Sequence, residues 1–249
     1  MNGSTRLDLA LVDRGMAQTR TKASRLIRAG SVRVNGATQT KPSFAVSPDD
    51  RIEADLGEDY VSRGAYKLVG AFAAFREQGL VEPAGMDCLD IGASTGGFTQ
   101  VLLRRGAAHV IALDVGHGQL DRRIADDPRV IDMSGTNIRD VTGADLAFSP
   151  AMIVSDVSFI SLTYVIPVIA RLAAPGAHIV LLVKPQFEVG RGNLGKNGIV
   201  GDQQLREHAV QRVVACAREH GLTVIGTAPS PIEGTFGNVE YLLYARAGR

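Results

Sequence analysis

What most constrains the fold is an alternation of short, almost wholly apolar runs with longer segments of helical periodicity. Strand-like runs are Asp87 to Ile91, His109 to Asp114, Arg129 to Asp132, Ala151 to Val157, His178 to Val183, Leu222 to Thr227 and Val239 to Ala245. Between them the spacing predicts helices such as Phe98 to Arg105, Ser161 to Ala173 and Gln203 to His220. Strands apolar on both faces must be covered on both, so this order implies an α/β domain with a seven-stranded, mostly parallel sheet of Rossmann-like architecture. At 249 residues the chain has room for that domain and a small appendage.

Two of the most apolar runs lead straight into a charge, Ala151 to Val154 into Asp156 and His178 to Val183 into Lys184. Glu240 stands near the start of the last strand candidate, and Lys67 lies in the first two turns of a helix beginning at Ser62. A buried charge without a partner costs several kcal/mol, so these four need partners or a task. The carboxyl ends of strands are where α/β sheets bind ligands.

With 45% hydrophobic and 21% charged residues the composition is that of a soluble globular protein. The longest apolar run, Phe159 to Ala174, is interrupted by Ser161, Thr163, Pro167 and Arg171, and the charged N-terminus lacks the apolar core of a secretory signal. Neither a membrane nor an obligate protein partner is expected, and the location is read as cytoplasmic. Cys88 and Cys216 are read as reduced core residues, since their number and spacing suit neither a disulfide framework nor a metal site.

The net charge of +1 hides an asymmetry. Residues 1–50 carry eight basic side chains (Arg6, Arg14, Arg20, Lys22, Arg25, Arg28, Arg33, Lys41) against four acidic ones, leaving +4. The stretch 47–60 reverses the sign, with Pro48 and Gly57 breaking regular structure. The expected organisation is therefore a small α+β domain at 1–55, an acidic linker at 56–61 and the large domain at 62–249. Leu7, Ala10 and Leu11 give one short amphipathic helix. A second, from about Thr21, buries Ala23, Leu26 and Ile27 and lines a flank with Lys22, Arg25 and Arg28. Asn35-Gly36 after Ser31 to Val34 is a strong hairpin signal.

A basic helix flank alone is most often a solvated face. Here the run from Thr21 to Gly36 resembles the S4 RNA-binding domain, over roughly residues 5–55. The resemblance implies that the basic side chains above engage RNA phosphates, with salt-dependent affinity and little base readout. Arg63, Arg191 and Lys196 extend the expected RNA contacts into the large domain.

The first strand of that domain opens into Asp90-Ile91-Gly92-Ala93-Ser94-Thr95-Gly96-Gly97-Phe98-Thr99. The glycines permit a tight turn and close approach to a ligand, and the next helix presents free N–H groups. Asp114 ends the following strand, 24 residues after Asp90, where a carboxylate can accept ribose hydroxyls. A glycine loop alone is weak, but joined to Asp90 and Asp114 it resembles the S-adenosylmethionine site of class I methyltransferases. That resemblance implies S-adenosylmethionine as cofactor, held by Asp90, Gly92 to Phe98, Asp114, Val115, Asn137, Ile138 and Asp156. Asp140 is alternatively a simple cap. Gly190 to Asn197 matches the phosphate-loop pattern until Asn197 replaces the magnesium-binding hydroxyl, and Pro185 to Val189 separates it from its strand. A flexible basic lid over RNA or a plain surface loop fits it better.

Lys67, Asp156, Lys184 and Glu240, in that order, resemble the tetrad of ribose 2'-O-methyltransferases. Their contexts, Ser62-Arg63-Gly64-Ala65-Tyr66-Lys67-Leu68, Ser155 to Ser161, Val183 to Glu188 and Gly237 to Glu240, resemble the TlyA or "hemolysin A" family of ribosomal RNA methyltransferases, which carry an FtsJ-like catalytic domain. The resemblance spans nearly the whole chain. It implies cytidine 2'-O-methylation of ribosomal RNA or ribosomal subunits, with Lys184 taking or sharing the hydroxyl proton, Asp156 and Glu240 orienting it, and Lys67 stabilising the developing alkoxide. Competing readings are ordinary ion pairs in a sheet, a non-catalytic RNA-binding or ribosome-assembly factor, and a membrane-lytic hemolysin. The last lacks a spanning helix and an alternating β-array.

Overall fold

The structure, a computed structural model, describes residues 4–17, 19–54, 60–234 and 237–248, and for Arg191 the backbone alone. The chain divides into two compact units, Met1–Asp59 and Tyr60–Arg249. Residues 55–59, and with them most of the expected linker, lie outside the described residues.

The first unit runs β1 (Thr5–Arg6), α1 (Leu7–Asp13), α2 (Arg20–Arg28), β2 (Val32–Val34), β3 (Ala37–Gln39), β4 (Ala45–Val46) and β5 (Ile52–Ala54). Antiparallel pairing gives a β3-β2-β5 sheet and a separate β1-β4 ladder. Thr19 starts α2 by accepting the Lys22 N–H, a cap that contributes about 1 kcal/mol. Ala23 and Ile27, one turn apart, join Leu7, Leu11, Val32 and Val34 in one core, with Leu26 only partly buried. Asn35 and Gly36 both take positive φ (52° and 83°), which builds the two-residue hairpin turn between Val34 and Ala37.

The second unit runs α3 (Ala65–Phe75), β6 (Asp87–Ile91), α4 (Gly97–Arg104), β7 (His109–Asp114), α5 (Arg122–Ala125), β8 (Val130–Ser134), β9 (Met152–Ser155), α6 (Leu162–Leu172), β10 (His178–Val183), α7 (Pro185–Glu188), α8 (Gln203–Glu219), β11 (Thr223–Pro229) and β12 (Tyr241–Arg246). Its strands form one sheet in the order β11-β12-β10-β9-β6-β7-β8. All pairings from β10 to β8 are parallel, whereas β12 is antiparallel to both neighbours. The fold is the class I methyltransferase architecture.

Two core layers cover the sheet. Leu89, Ile91 and Ile153 pack with α6 and α8 on one face, and Cys88, Met152 and Val154 pack with α3 and α4 on the other. Strand alternation sends Asp90 to the second face with Cys88. Pro167 inside α6 removes one helical N–H, and the Thr163 carbonyl that it would have served takes the Cys216 thiol at 3.8 Å. Both cysteines are free and buried.

The topology locates the site. From β6 the chain winds outward through β7 and β8 and then returns to β9 on the other side of β6, so the strand order reverses between β6 and β9. A crevice opens at such a switch point, beyond the carboxyl ends.

Candidate active site

The crevice has one wall of glycine-rich loop and one of charged side chains. Its lining includes Gly92 to Thr95, Gly97 and Phe98 on one side and Asp156, Ser158 and Lys184 on the other, around about 520 Å³ of empty space open to solvent. Gly92 has φ +84°, and a Cβ there would sit 2.9 Å from the Asp156 carbonyl oxygen. Gly97 opens α4, and its Cβ would overlap the Ser62 hydroxyl. Absent side chains thus let the loop after β6 lie against the loop after β9 and the segment before α3.

Asp114, ending β7, fixes this loop. Its Oδ2 accepts the Ser94 N–H at 2.8 Å and its Oδ1 the Gly116 N–H at 2.7 Å. Each oxygen keeps a lone pair for a ligand hydroxyl. Val115 beside it is well exposed. After β8, Asn137 is itself the cap: its Oδ1 accepts the Arg139 N–H, while the Ile138 side chain lies in the core. Only the Asn137 amide nitrogen and local backbone are therefore suited to meet a ligand.

Asp90 is fully buried, with Oδ2 accepting from Thr99 Oγ1 at 2.7 Å and Oδ1 lacking a hydrogen-bond partner among the described residues. Burial pushes its carboxyl up to about 7 against the opposing Thr99 bond. The folded state then holds a proton that the unfolded chain releases near pH 4, so stability falls as pH rises from about 4 to about 7. Without ligand, Asp90→Asn should melt above wild type at pH 8, by a margin that closes towards pH 4 in calorimetric scans. Equal melting temperatures at pH 8 would show that the buried carboxyl carries no such penalty.

The four singled-out charges converge as an alternating chain. Lys184 Nζ lies 2.5 Å from Asp156 Oδ1 and donates to Ser158 Oγ at 2.9 Å. Lys67 Nζ lies 3.7 Å from Asp156 Oδ2 and donates to Glu240 Oε2 at 2.6 Å. The short Lys184–Asp156 contact is an ion pair without hydrogen-bond geometry, since Asp156 Oδ1 has no hydrogen-bond partner among the described residues. Lys67, Lys184 and Glu240 are buried, and Asp156 is partly open towards the crevice. Glu240 precedes β12 rather than lying within it. Because β12 runs against its neighbours, its start falls at the same edge as the ends of β9 and β10, with Tyr241 opposite Val183.

Several residues that surround this chain were not singled out individually in the sequence reading, although Phe159, Gln186 and Phe187 lie in the motifs around the four charges. Gln186 Nε2 reaches Glu240 Oε1 at 3.4 Å, and Gly234 passes so close to the Glu240 carboxylate that a Cβ would overlap it. Phe159, at 92% exposure and φ +66°, holds its ring 5.3 Å from that of Phe187, which lies 6.0 Å from Lys184 Nζ. An exposed aromatic in a left-handed conformation is strained, a common mark of a ligand-facing position. No sequence signal reveals that φ.

A family model described as FtsJ-like methyltransferase matches residues 60–247, and one for the S4 domain matches residues 5–52. The chain belongs to the FtsJ-like methyltransferase family. The 16S/23S rRNA (cytidine-2'-O)-methyltransferase TlyA of Mycobacterium tuberculosis is 48% identical over 243 residues, which is 97% of this chain and 89% of the relative. Hemolysin A of Brachyspira hyodysenteriae is 40% identical, with 96% and 98% covered. A solved structure from Streptococcus thermophilus carrying the hemolysin name is 37% identical, with a TM-score of 0.75 over 100% of this chain and 90% of the other. These relatives place this FtsJ-like methyltransferase in the TlyA branch. Among the described residues no helix is long and apolar enough to cross a membrane.

The residues expected on RNA divide by environment in this FtsJ-like methyltransferase. Arg6, Arg20, Arg25, Arg28, Arg33 and Lys41 are exposed on the first unit, and Lys22 is partly buried. Arg14 is committed elsewhere: its guanidinium donates to the carbonyls of Ser47, Pro48 and Asp50 and clamps that turn. Arg63 donates to the Glu233 carbonyl, which ties the segment before α3 to the loop before Glu240. Lys196 is exposed on a short 3-10 turn, and Gln203 opens the next α-helix, so the backbone has no phosphate-loop form. The Arg191 side chain lies outside the described residues.

Proposed function

We infer that this protein transfers the methyl group of S-adenosylmethionine to ribose 2'-hydroxyls of ribosomal RNA in the cytoplasm, with cytidine the expected nucleoside. The observation that carries this reading is the alternating Lys184–Asp156–Lys67–Glu240 chain, of which Lys184 and Asp156 line a glycine-walled crevice. The crevice suits the cofactor: the Gly92 and Gly97 cradle admits close backbone approach, Asp114 keeps acceptor capacity for ribose hydroxyls, and Asp90 Oδ1 lacks a partner among the described residues. When bound, S-adenosylmethionine supplies an electrophilic methyl group on sulfonium.

The chain's own residues must then deprotonate and align a poor nucleophile. Asp156 and Ser158 take two of the positions around Lys184 Nζ. Held there, Lys184 is the group that takes or shares the 2'-hydroxyl proton, with Asp156 and Glu240 orienting it. Lys67, gripped by Glu240, sets a fixed positive charge beside the forming alkoxide. Alignment of oxygen with methyl carbon contributes about 7 to 11 kcal/mol to such a step. The Phe159 ring beside this machinery offers a face on which an unstacked base can lie. Basic side chains of the first unit supply sequence-independent RNA affinity.

Purified protein, methyl-tritiated S-adenosylmethionine and ribosomal subunits from a strain lacking this gene test the reading. Label is expected in the RNA of at least one subunit, with incorporation falling steeply between low and high salt. A protein that binds the cofactor by calorimetry yet labels neither subunit would instead favour a non-catalytic RNA-binding role.

A further inference from the structure

The first unit buries one carboxylate among side chains suited to phosphate. Asp8, in the first turn of α1, is 1% exposed. Its two oxygens accept from Arg6 Nε and Nη2, each at 2.9 Å, and Oδ2 also accepts from Arg20 Nε at 3.0 Å. The two arginines come from different elements, β1 and α2, yet one carboxylate grips both. The same guanidinium groups hold the Asp8 carboxyl well below the usual carboxylate range, so it stays charged throughout the working pH range.

A free arginine side chain samples many rotamers, and ordering it on a ligand opposes binding. Asp8 orders both in advance. Arg6 spends two of its five donors on the carboxylate and Arg20 one, so the outer edges of both forks remain available. They border an open concavity whose lining also includes Ser24, Arg25 and Arg28. Two fixed forks beside further cations match the oxygens of a phosphodiester.

We propose that Asp8 is a positioning residue that locks Arg6 and Arg20 into one clamp for a single RNA phosphate. This rests on the reading of the first unit as RNA-binding. Simple charge counting gives the opposite expectation, because removing an anion from a basic face tightens RNA binding through counterion release. The sign of the effect therefore separates the two.

Full-length variants are assayed for methyl transfer to ribosomal subunits from a strain lacking this gene. Asp8→Asn should raise KM for the subunit roughly tenfold while kcat changes by less than about twofold. Arg6→Ala/Arg20→Ala should raise KM at least as much, and adding Asp8→Asn to it should change KM by less than about twofold. Arg6→Lys/Arg20→Lys, which keeps the charge and loses the fork, should resemble Asp8→Asn. An Asp8→Asn enzyme with KM equal to or below wild type overturns the proposal, as does an undiminished Asp8→Asn effect without the arginines, which would mark a purely structural carboxylate. Should Arg6→Ala/Arg20→Ala leave KM unchanged, the RNA reading of this face fails too. A weakened arginine variant beside a normal Asp8→Asn removes the positioning role alone.

Discussion

Lys184→Arg is expected to abolish methyl transfer, lowering kcat by about 10²- to 10⁴-fold while cofactor affinity stays within a few-fold of wild type. Arginine keeps the charge that faces Asp156 but cannot give up its proton at working pH, and its planar fork does not reproduce a single nitrogen held by Asp156 and Ser158. Lys184→Ala should be as inactive. It additionally leaves Asp156 with only the 3.7 Å contact to Lys67, so its melting temperature should fall as well. Single-turnover rates with labelled cofactor measure the loss directly. Should Lys184→Arg work within tenfold of wild type, Lys184 serves as a fixed charge and the proton leaves by another route.

Gly92→Ala carries the second large effect. The new Cβ meets only backbone, at 2.9 Å from the Asp156 oxygen and 3.2 Å from Val157 Cα, and φ is +84°. Neither contact can be relieved by a side-chain rotation, so the loops after β6 and β9 must part, and the cofactor cradle moves away from Asp156. Left-handed strain adds about 1 to 2 kcal/mol. Gly221→Ala is the control, because its φ is +80° but among the described residues nothing lies within 4 Å of its Cβ. Calorimetry should show Gly92→Ala melting several degrees below Gly221→Ala. Titration should show at least about tenfold weaker cofactor binding for Gly92→Ala alone. Equal melting temperatures and affinities for the two variants would mean that the close approach at Gly92 is not what assembles the crevice.

Much of the site was legible because charge at the end of an apolar run is physically conspicuous. Asp156 and Lys184 stand out for that reason, and the sheet brings them within ion-pair distance. Glu240 could be singled out as a charge but not placed, since its arrival depends on β12 running against its neighbours, and an apolar run does not encode its direction. Ser158, Gln186 and Phe159 were missed as individuals because their significance lies in a hydrogen bond, a carboxylate contact and a backbone angle that only tertiary structure creates. Arg14 was read by its charge alone, whereas the carbonyls of the turn at 47–50 claim it. The larger strands and helices follow their periodicity closely. The two-residue strands β1 and β4 and the one-turn helices α5 and α7 are too short to show any period.

Locating the transferred methyl group tests the central claim most directly. Ribosomal RNA treated with this protein and deuterated S-adenosylmethionine is digested to nucleosides and resolved by mass spectrometry. The mass increment should reside on the ribose, protect one phosphodiester bond from alkali and disappear in Lys184→Arg. An increment on a base, with every phosphodiester still cleaved by alkali, would contradict a pocket built to deprotonate a sugar hydroxyl.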